Sequence, residues 1–181
     1  MKFEKIEKYF ITFFVYAVIG WIYELFIFYY HGEGWVNRGF LYGPYLPVYG
    51  FGALLLIVLL SKILERKKNS VIIWIRDIII ILCLVFVITT VVEYISHYIL
   101  DTFFNIKLWD YSKQFLNING RVCFNASRNF AIGGTLLLFT IQHWIKKFLD
   151  RCSSKKLNIY FYVLLFVMGC DFIITIITKY L

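Results

Sequence analysis

Five apolar runs, at residues 9–30, 44–63, 71–100, 122–145 and 157–179, occupy most of this chain of 181 residues. A helix needs about 20 residues to cross a hydrocarbon core about 30 Å thick, and each run reaches that length. The fold class predicted is all-α: a polytopic transmembrane helical bundle of about five spans. The longest connection, residues 101–121, leaves no room for a separate soluble domain, so residues 1–181 read as a single transmembrane domain. A connection of that length is expected to be functional or partly helical. With 61% hydrophobic and 21% aromatic residues, the composition points to membrane lipids as the surroundings.

Orientation follows from the basic residues, because short cytoplasmic loops carry the excess of Lys and Arg. Lys2, Lys5 and Lys8 precede the first run; Lys62, Arg66, Lys67 and Lys68 follow the second; Lys146, Lys147, Arg151, Lys155 and Lys156 follow the fourth. The other connections are poor in bases or mixed with Asp101 and Asp110. The N-terminus is therefore expected in the cytoplasm and the C-terminus outside. A formal net charge of +8, spread over short connections, reflects topology and anionic lipid and does not indicate nucleic acid. The first run is too long for a signal-peptide core and lacks an A-x-A-like cleavage site, so it is expected to stay as an anchor.

Acids within apolar runs are costly and mark functional positions unless they are locked in pairs. Glu24 lies 15 residues past Tyr9, or about 22 Å along a helix. Glu93 lies 16 residues past Asp77, or about 24 Å, and Asp171 lies 14 past Leu157, or about 21 Å. All three heights fall in the half of the bilayer away from the cytoplasm. Helical spacing groups Thr89, Glu93 and His97 on one face, and Asp171, Thr175 and Thr178 on another. Arg121, Asn125 and Arg128 would share a third, and with Arg38 the arginines would balance the acids. The competing reading is structural, with Glu–Arg pairs locking helices together and acids near a span end reaching the head groups.

Other chemistries find little support. Glu93 and His97 could hold a metal at i, i+4 with His31 from an outer loop, but no H-E-x-x-H and no second pair occurs. No metal and no cofactor is predicted. No G-x-S-x-G elbow is present, and no P-loop, so ATP-driven work would need a separate ATPase subunit. Cys83, Cys123, Cys152 and Cys170 form no C-x-x-C pair and read as small buried apolar residues. Pro44 and Pro47, beside Gly39, Gly43, Gly50 and Gly52, predict a tight re-entry before the second span. The tryptophans fall mostly near span ends; Trp109, beside Asp110, is expected to cover a polar cavity. A weak parallel repeat is visible, because the first and third runs each carry a glutamate near the outer end, followed by a loop with Trp, Asn, Arg and Gly.

Several of these segments recur together. Gly20-Trp21-Ile22-Tyr23-Glu24, Asn37-Arg38-Gly39-Phe40-Leu41-Tyr42-Gly43-Pro44, Pro47-Val48-Tyr49-Gly50, Glu93-Tyr94, Trp109-Asp110-Tyr111-Ser112 and Asn117-Ile118-Asn119-Gly120-Arg121 resemble the signatures of the bacterial ABC-transporter type IV permease family. The resemblance spans the first four runs and implies a multi-pass protein of the bacterial plasma membrane, working as a transport subunit of unspecified substrate. Ser96-His97 and Arg128-Asn129 depart from the pattern, where a small residue and bulkier apolar residues are expected.

The leading expectation is a transport-related subunit whose polar, charged cavity, in the outer half of the bilayer, binds a small polar or cationic ligand. Its candidate ligand-binding residues are Glu24, Asn37, Arg38, Glu93, His97, Trp109, Asp110, Asn119, Arg121 and Asn125. One alternative is a membrane enzyme acting on a lipid head group or envelope precursor, with Glu93 as general base and Arg121 holding phosphate. Another is a noncatalytic partner or regulator. Five spans are few for a self-contained transporter, so a homo-oligomer or partner subunit is expected.

Overall fold

A computed structural model describes residues 2–30, 32, 34–35, 39–67, 69–105, 107 and 109–180, with the side chains of 2, 104, 179 and 180 left aside. The described residues form helices α1 (Lys2–Tyr30), α2 (Pro47–Leu64), α3 (Val71–Phe104), α4 (Phe124–Phe139), α5 (Ile141–Arg151) and α6 (Ser154–Tyr180). Four are long and apolar enough to cross a membrane: Phe3–Tyr30, Pro47–Leu64, Val71–Phe103 and Ser154–Thr178. The chain is an all-α, multi-pass membrane protein.

The expected fourth span, 122–145, is interrupted. Helix α4 has 16 residues, or about 24 Å of length, and ends at Thr140. There the Thr140 hydroxyl donates back to the Leu136 carbonyl at 2.7 Å, the kind of contact that bends helices. The strongly amphipathic α5 follows at once, burying Ile145 and Leu149. Among the cysteines, Cys123 is buried, but Cys83 is exposed and so departs from the expected buried role.

Internal contacts group the chain into two compact units, residues 1–55 with 144–181, and residues 56–143. In the first, α1 packs on α6 through Phe3 and Phe10 against Phe161, with ring centroids 5.7 and 5.1 Å apart. Apolar burial drives little between helices already in lipid, so close backbone approach and polar ties matter more. Both are present. Gly20 leaves the space that the Tyr49 ring fills, and Gly50 receives Phe13. Buried Glu7 accepts a hydrogen bond from Asn158 Nδ2 at 3.0 Å, and Lys8 pairs with Asp150 at 2.9 Å.

The expected re-entry is present in this unit. The Leu46 amide donates to the Ala17 carbonyl at 2.9 Å. Ala17 lies 13 residues before the end of α1, so the chain returns about 20 Å along that helix before α2 begins. Leu41 and Tyr45 of this segment are buried against Ala17, with Phe14, Val18 and Met168 around them.

In the second unit, Leu56 and Leu60 of α2 meet Ile81 and Val85 of α3 and Leu138 of α4. Gly134 lets α4 approach α3 closely, since a Cβ there would lie 3.0 Å from Val85 Cγ1. Ser70 caps α3, accepting from the Ile72 amide at 3.3 Å. Near that end the fully buried Asp77 pairs with Arg76 at 3.0 Å and Arg66 at 3.5 Å. Helix α3 runs 34 residues, or about 51 Å, well beyond the thickness of a hydrocarbon core. Its last turns therefore carry the connection that follows.

Candidate functional site

Two adjacent faces of the α3 tail organise the site. Tyr94, Tyr98 and Asp101 recur at i, i+4 and i+7 and together hold Arg121. The guanidinium lies 5.4 Å from the Tyr94 ring centroid and 4.9 Å from that of Tyr98. It also donates to the Tyr94 hydroxyl at 3.2 Å and pairs with Asp101 at 3.4 Å. Arg121 is thus occupied, its side chain only 17% exposed. Glu93, half-buried, and His97, 5% exposed, occupy the neighbouring face one turn apart.

The connection 105–123 contains no helix among its described residues, yet its backbone is tightly bonded to itself. Tyr111 N donates to Gly120 O at 2.8 Å, Arg121 N to Ile118 O at 3.0 Å, and Ile118 pairs with Val122 in an isolated bridge. Asn117 donates to the carbonyls of Ser112 and Gln114 and accepts from the Gly120 amide at 3.2 Å. Gly120 is required twice over: its φ of +68° disfavours any side chain, and a Cβ would lie 2.9 Å from Asp110 Oδ1. Asn119, also left-handed at φ 54°, is of a residue type that tolerates this region.

Trp109 pins this cap to α3. Its indole N–H donates to the Arg121 carbonyl at 2.8 Å, and its ring meets His97 edge-on at 5.4 Å. Its own carbonyl lies 3.0 Å from His97 Nε2. A carbonyl only accepts, so Nε2 carries a proton, and in the neutral ring Nδ1 presents a lone pair. That Nδ1 is buried with no hydrogen-bond partner. Buried polar atoms without partners are rare, and each marks an unmet requirement.

Between cap and helix lies a polar cleft of about 180 Å³, lined by His97, Asp101, Trp109, Asp110, Ser112 and Asn119, together with Lys107 and Gly120. A single water needs only about 10–15 Å³ on a comparable measure, so the cleft has room for a small molecule. The Ser112 hydroxyl and amide both donate to Asp110 Oδ1, the amide at 2.9 Å. These bonds hold the Asp110 carboxyl below its ordinary pKa of 3.8, so it is charged at neutral pH.

Four of the expected ligand-binding residues, His97, Trp109, Asp110 and Asn119, therefore line one cleft. Arg121 stands behind it, and Glu93 one turn below His97. Asn125 is exposed on the first turn of α4. Arg121 does not continue the face of Asn125 and Arg128, because α4 begins at Phe124 and the bridge and turn at 118–122 claim the Arg121 backbone. Asn37, Arg38 and His31 lie outside the described residues. No group of three metal-binding side chains occurs among the described residues.

Glu24 and Asp171 belong to the other unit, and both have neutral partners. Tyr49 donates its hydroxyl to Glu24. Asp171 accepts from the Tyr42 amide at 3.1 Å, the Gly43 amide at 2.9 Å and the Tyr45 hydroxyl at 2.6 Å. Thr175 and Thr178 extend this contact as their helical spacing predicts, with Thr178 bonded to the Tyr42 hydroxyl at 2.9 Å. Among the described residues Asp171 is bonded by backbone amides and hydroxyls, while Arg38 lies outside them. The re-entrant segment exposes amides that lipid cannot satisfy, and the acid on α6 supplies the acceptor.

Asp101, Lys107, Ser112 and the Tyr94–Tyr98 pair were not foreseen as site residues. For Asp101 and Tyr98 the sequence signal is helical spacing, since Asp101 stands four residues past His97 and three past Tyr98. Lys107 and Ser112 reach the cleft only through the fold of the cap.

A family model described as "Putative ABC-transporter type IV" matches residues 11–176. The comparison with curated proteins gives no significant match, and neither does that with solved structures.

Proposed function

We propose that this chain, which belongs to the ABC-transporter type IV family and is a transport-related membrane subunit, uses the cleft between the α3 tail and its cap to bind a small polar ligand. The observation that carries this reading is the unpartnered, buried Nδ1 of His97 in the wall of a polar cleft roomy enough for a small molecule. Wall groups whose hydrogen-bonding capacity the protein itself leaves unsatisfied favour whatever completes them.

Depth supports an outward-facing site. His97 lies 20 residues beyond Asp77, whose arginine partners suit the inner boundary, so about 30 Å of helix separates them. On that measure the cleft sits at the outer boundary of the bilayer, open to ligands arriving in water. In this reading the N-terminus is cytoplasmic, α4 and the first turn of α5 complete one crossing, and the host is a bacterial plasma membrane. A separate ATPase subunit or a second copy of the chain would complete the transporter. Glu93, one turn below His97, contributes negative charge beneath the site. The enzyme alternative loses ground, because Arg121 is committed to Tyr94, Tyr98 and Asp101 and is poorly placed to hold a phosphate.

The test is a thermal-shift screen of the detergent-purified protein against small polar compounds, repeated on Asn119→Ala and Glu93→Ala. At least one compound class is expected to raise Tm in the wild type and to lose most of its effect in Asn119→Ala, with a partial loss in Glu93→Ala. Stabilisation that persists unchanged in both variants would show that the cleft is not the site.

A further inference from the structure

Donors and acceptors in the cleft are out of balance. Nearly every donor is already used within the protein: His97 Nε2 on the Trp109 carbonyl, Trp109 Nε1 on the Arg121 carbonyl, Asn119 Nδ2 on the Tyr94 hydroxyl at 3.1 Å, and the Ser112 amide and hydroxyl on Asp110. What remains is mostly acceptor. Among the described residues both bonds to Asp110 fall on Oδ1 and leave Oδ2 open, His97 Nδ1 has no partner, and Asn119 offers its amide oxygen. Asp101 divides its carboxylate, with Oδ2 on Arg121 at 3.4 Å and Oδ1 facing Lys107.

Lys107 is the exception, and its geometry is informative. Its ammonium rests 3.9 Å from Asp101 Oδ1, at the loose limit of an ion pair, on a side chain that is 68% exposed. Such pairs contribute little and exchange readily. The protein has placed one of its own cations, weakly held, in the lining of an acceptor-rich cleft.

We infer that the cleft takes a cation bearing N–H donors, a primary ammonium or guanidinium group, in the position where Lys107 Nζ now rests against Asp101. The inference rests on the cleft being a ligand site at all, and it adds the chemical class. A carboxylate or phosphate would face Asp101 and Asp110 with a single loosely held lysine in its favour. A quaternary ammonium would bring charge without the donors that the acceptors need. Lys107 then acts as an internal competitor that a bound cation displaces.

The experiment measures the affinity of ethylammonium, tetramethylammonium, inorganic phosphate and glycerol for the detergent-purified full chain by thermal shift. Wild type, Lys107→Met and Asp110→Asn are compared. Ethylammonium is expected to bind, and to bind about 3-fold more tightly in Lys107→Met, where the exposed competitor is gone. Asp110→Asn should weaken it by about 10-fold, and tetramethylammonium should bind the wild type at least about 10-fold less tightly, since charge-assisted hydrogen bonds are lost in each case. Lys107 is exposed, so its replacement tests the idea even where Asp110→Asn disturbs the cap. Tighter binding of phosphate or glycerol than of ethylammonium, sensitive to Asp110→Asn, would overturn the cation assignment while leaving a ligand site in place. Unchanged or weaker ethylammonium binding in Lys107→Met would also overturn it. If no probe shifts Tm in any variant, the cleft as a binding site fails together with this inference.

Discussion

The two units start from similar ingredients, an acid on an apolar helix beside a glycine-containing connection, and use them in opposite ways. In the unit of residues 1–55 and 144–181, the connection before α2 turns back along α1, and Asp171 on α6 closes it through two amides and the Tyr45 hydroxyl. In the unit of residues 56–143, the connection after α3 folds onto itself, and Asp110 and His97 keep open valences toward a cleft. The contrast teaches that an ionisable residue in a membrane helix is not by itself a sign of function. What decides is whether the surrounding backbone consumes its hydrogen-bonding capacity.

The sharpest way to break the comparison is to remove each acid. Asp171→Leu leaves two amides and a phenol without an acceptor, a loss of about 3 kcal/mol or more when about 1–3 kcal/mol attaches to each unsatisfied buried group. The expected result is a large fall in the yield of monodisperse protein and in Tm. Asp110→Asn, which keeps an acceptor for Ser112 but loses the charge, should lower Tm far less in the absence of ligand. Equal losses in the two variants would erase the distinction between a structural acid and a site acid.

A smaller effect is expected from Gly120→Ala. The left-handed φ costs a side chain about 1–2 kcal/mol, and the new Cβ crowds Asp110. Amide exchange should accelerate across 109–122 while α1 and α6 keep their protection. Acceleration in both units would mean that the cap is not an independent element.

The smallest effect concerns pH. Asp110 has a lower pKa folded than unfolded, because Ser112 hydrogen-bonds the charged form. Its contribution is therefore complete above the unfolded value near 3.8 and disappears as pH falls through the lower folded value. Exchange at the Ser112 amide should rise only in that acidic window, while the re-entrant segment stays unaffected by Asp110. A rise that begins near neutral pH would contradict the assignment.

Much of this was legible from residue order. Apolar runs of sufficient length give the all-α membrane class, because a helix satisfies its own backbone in lipid wherever its neighbours lie. Helical spacing placed Glu93 with His97, and Asp171 with Thr175 and Thr178, on common faces. The cluster Gly39, Gly43, Pro44 and Pro47 announced the re-entry. The interruption at Thr140 was hidden, since a hydroxyl bonding back to the preceding turn leaves hydropathy almost unaltered. Partner choice was hidden as well: counting charges paired acids with arginines, whereas Asp171 took backbone amides and Arg121 took two tyrosines and Asp101.

Residue order alone thus determined that this chain crosses a membrane as helices, and which side chains share a helical face, because both follow from period and length within one segment. Only the tertiary structure decided which acids are satisfied and which remain open, and that Lys107, Ser112 and Asp101 meet His97 at one cleft. Hydrogen-bond capacity is settled between segments, by the approach of groups far apart in the chain, and local periodicity does not carry that information.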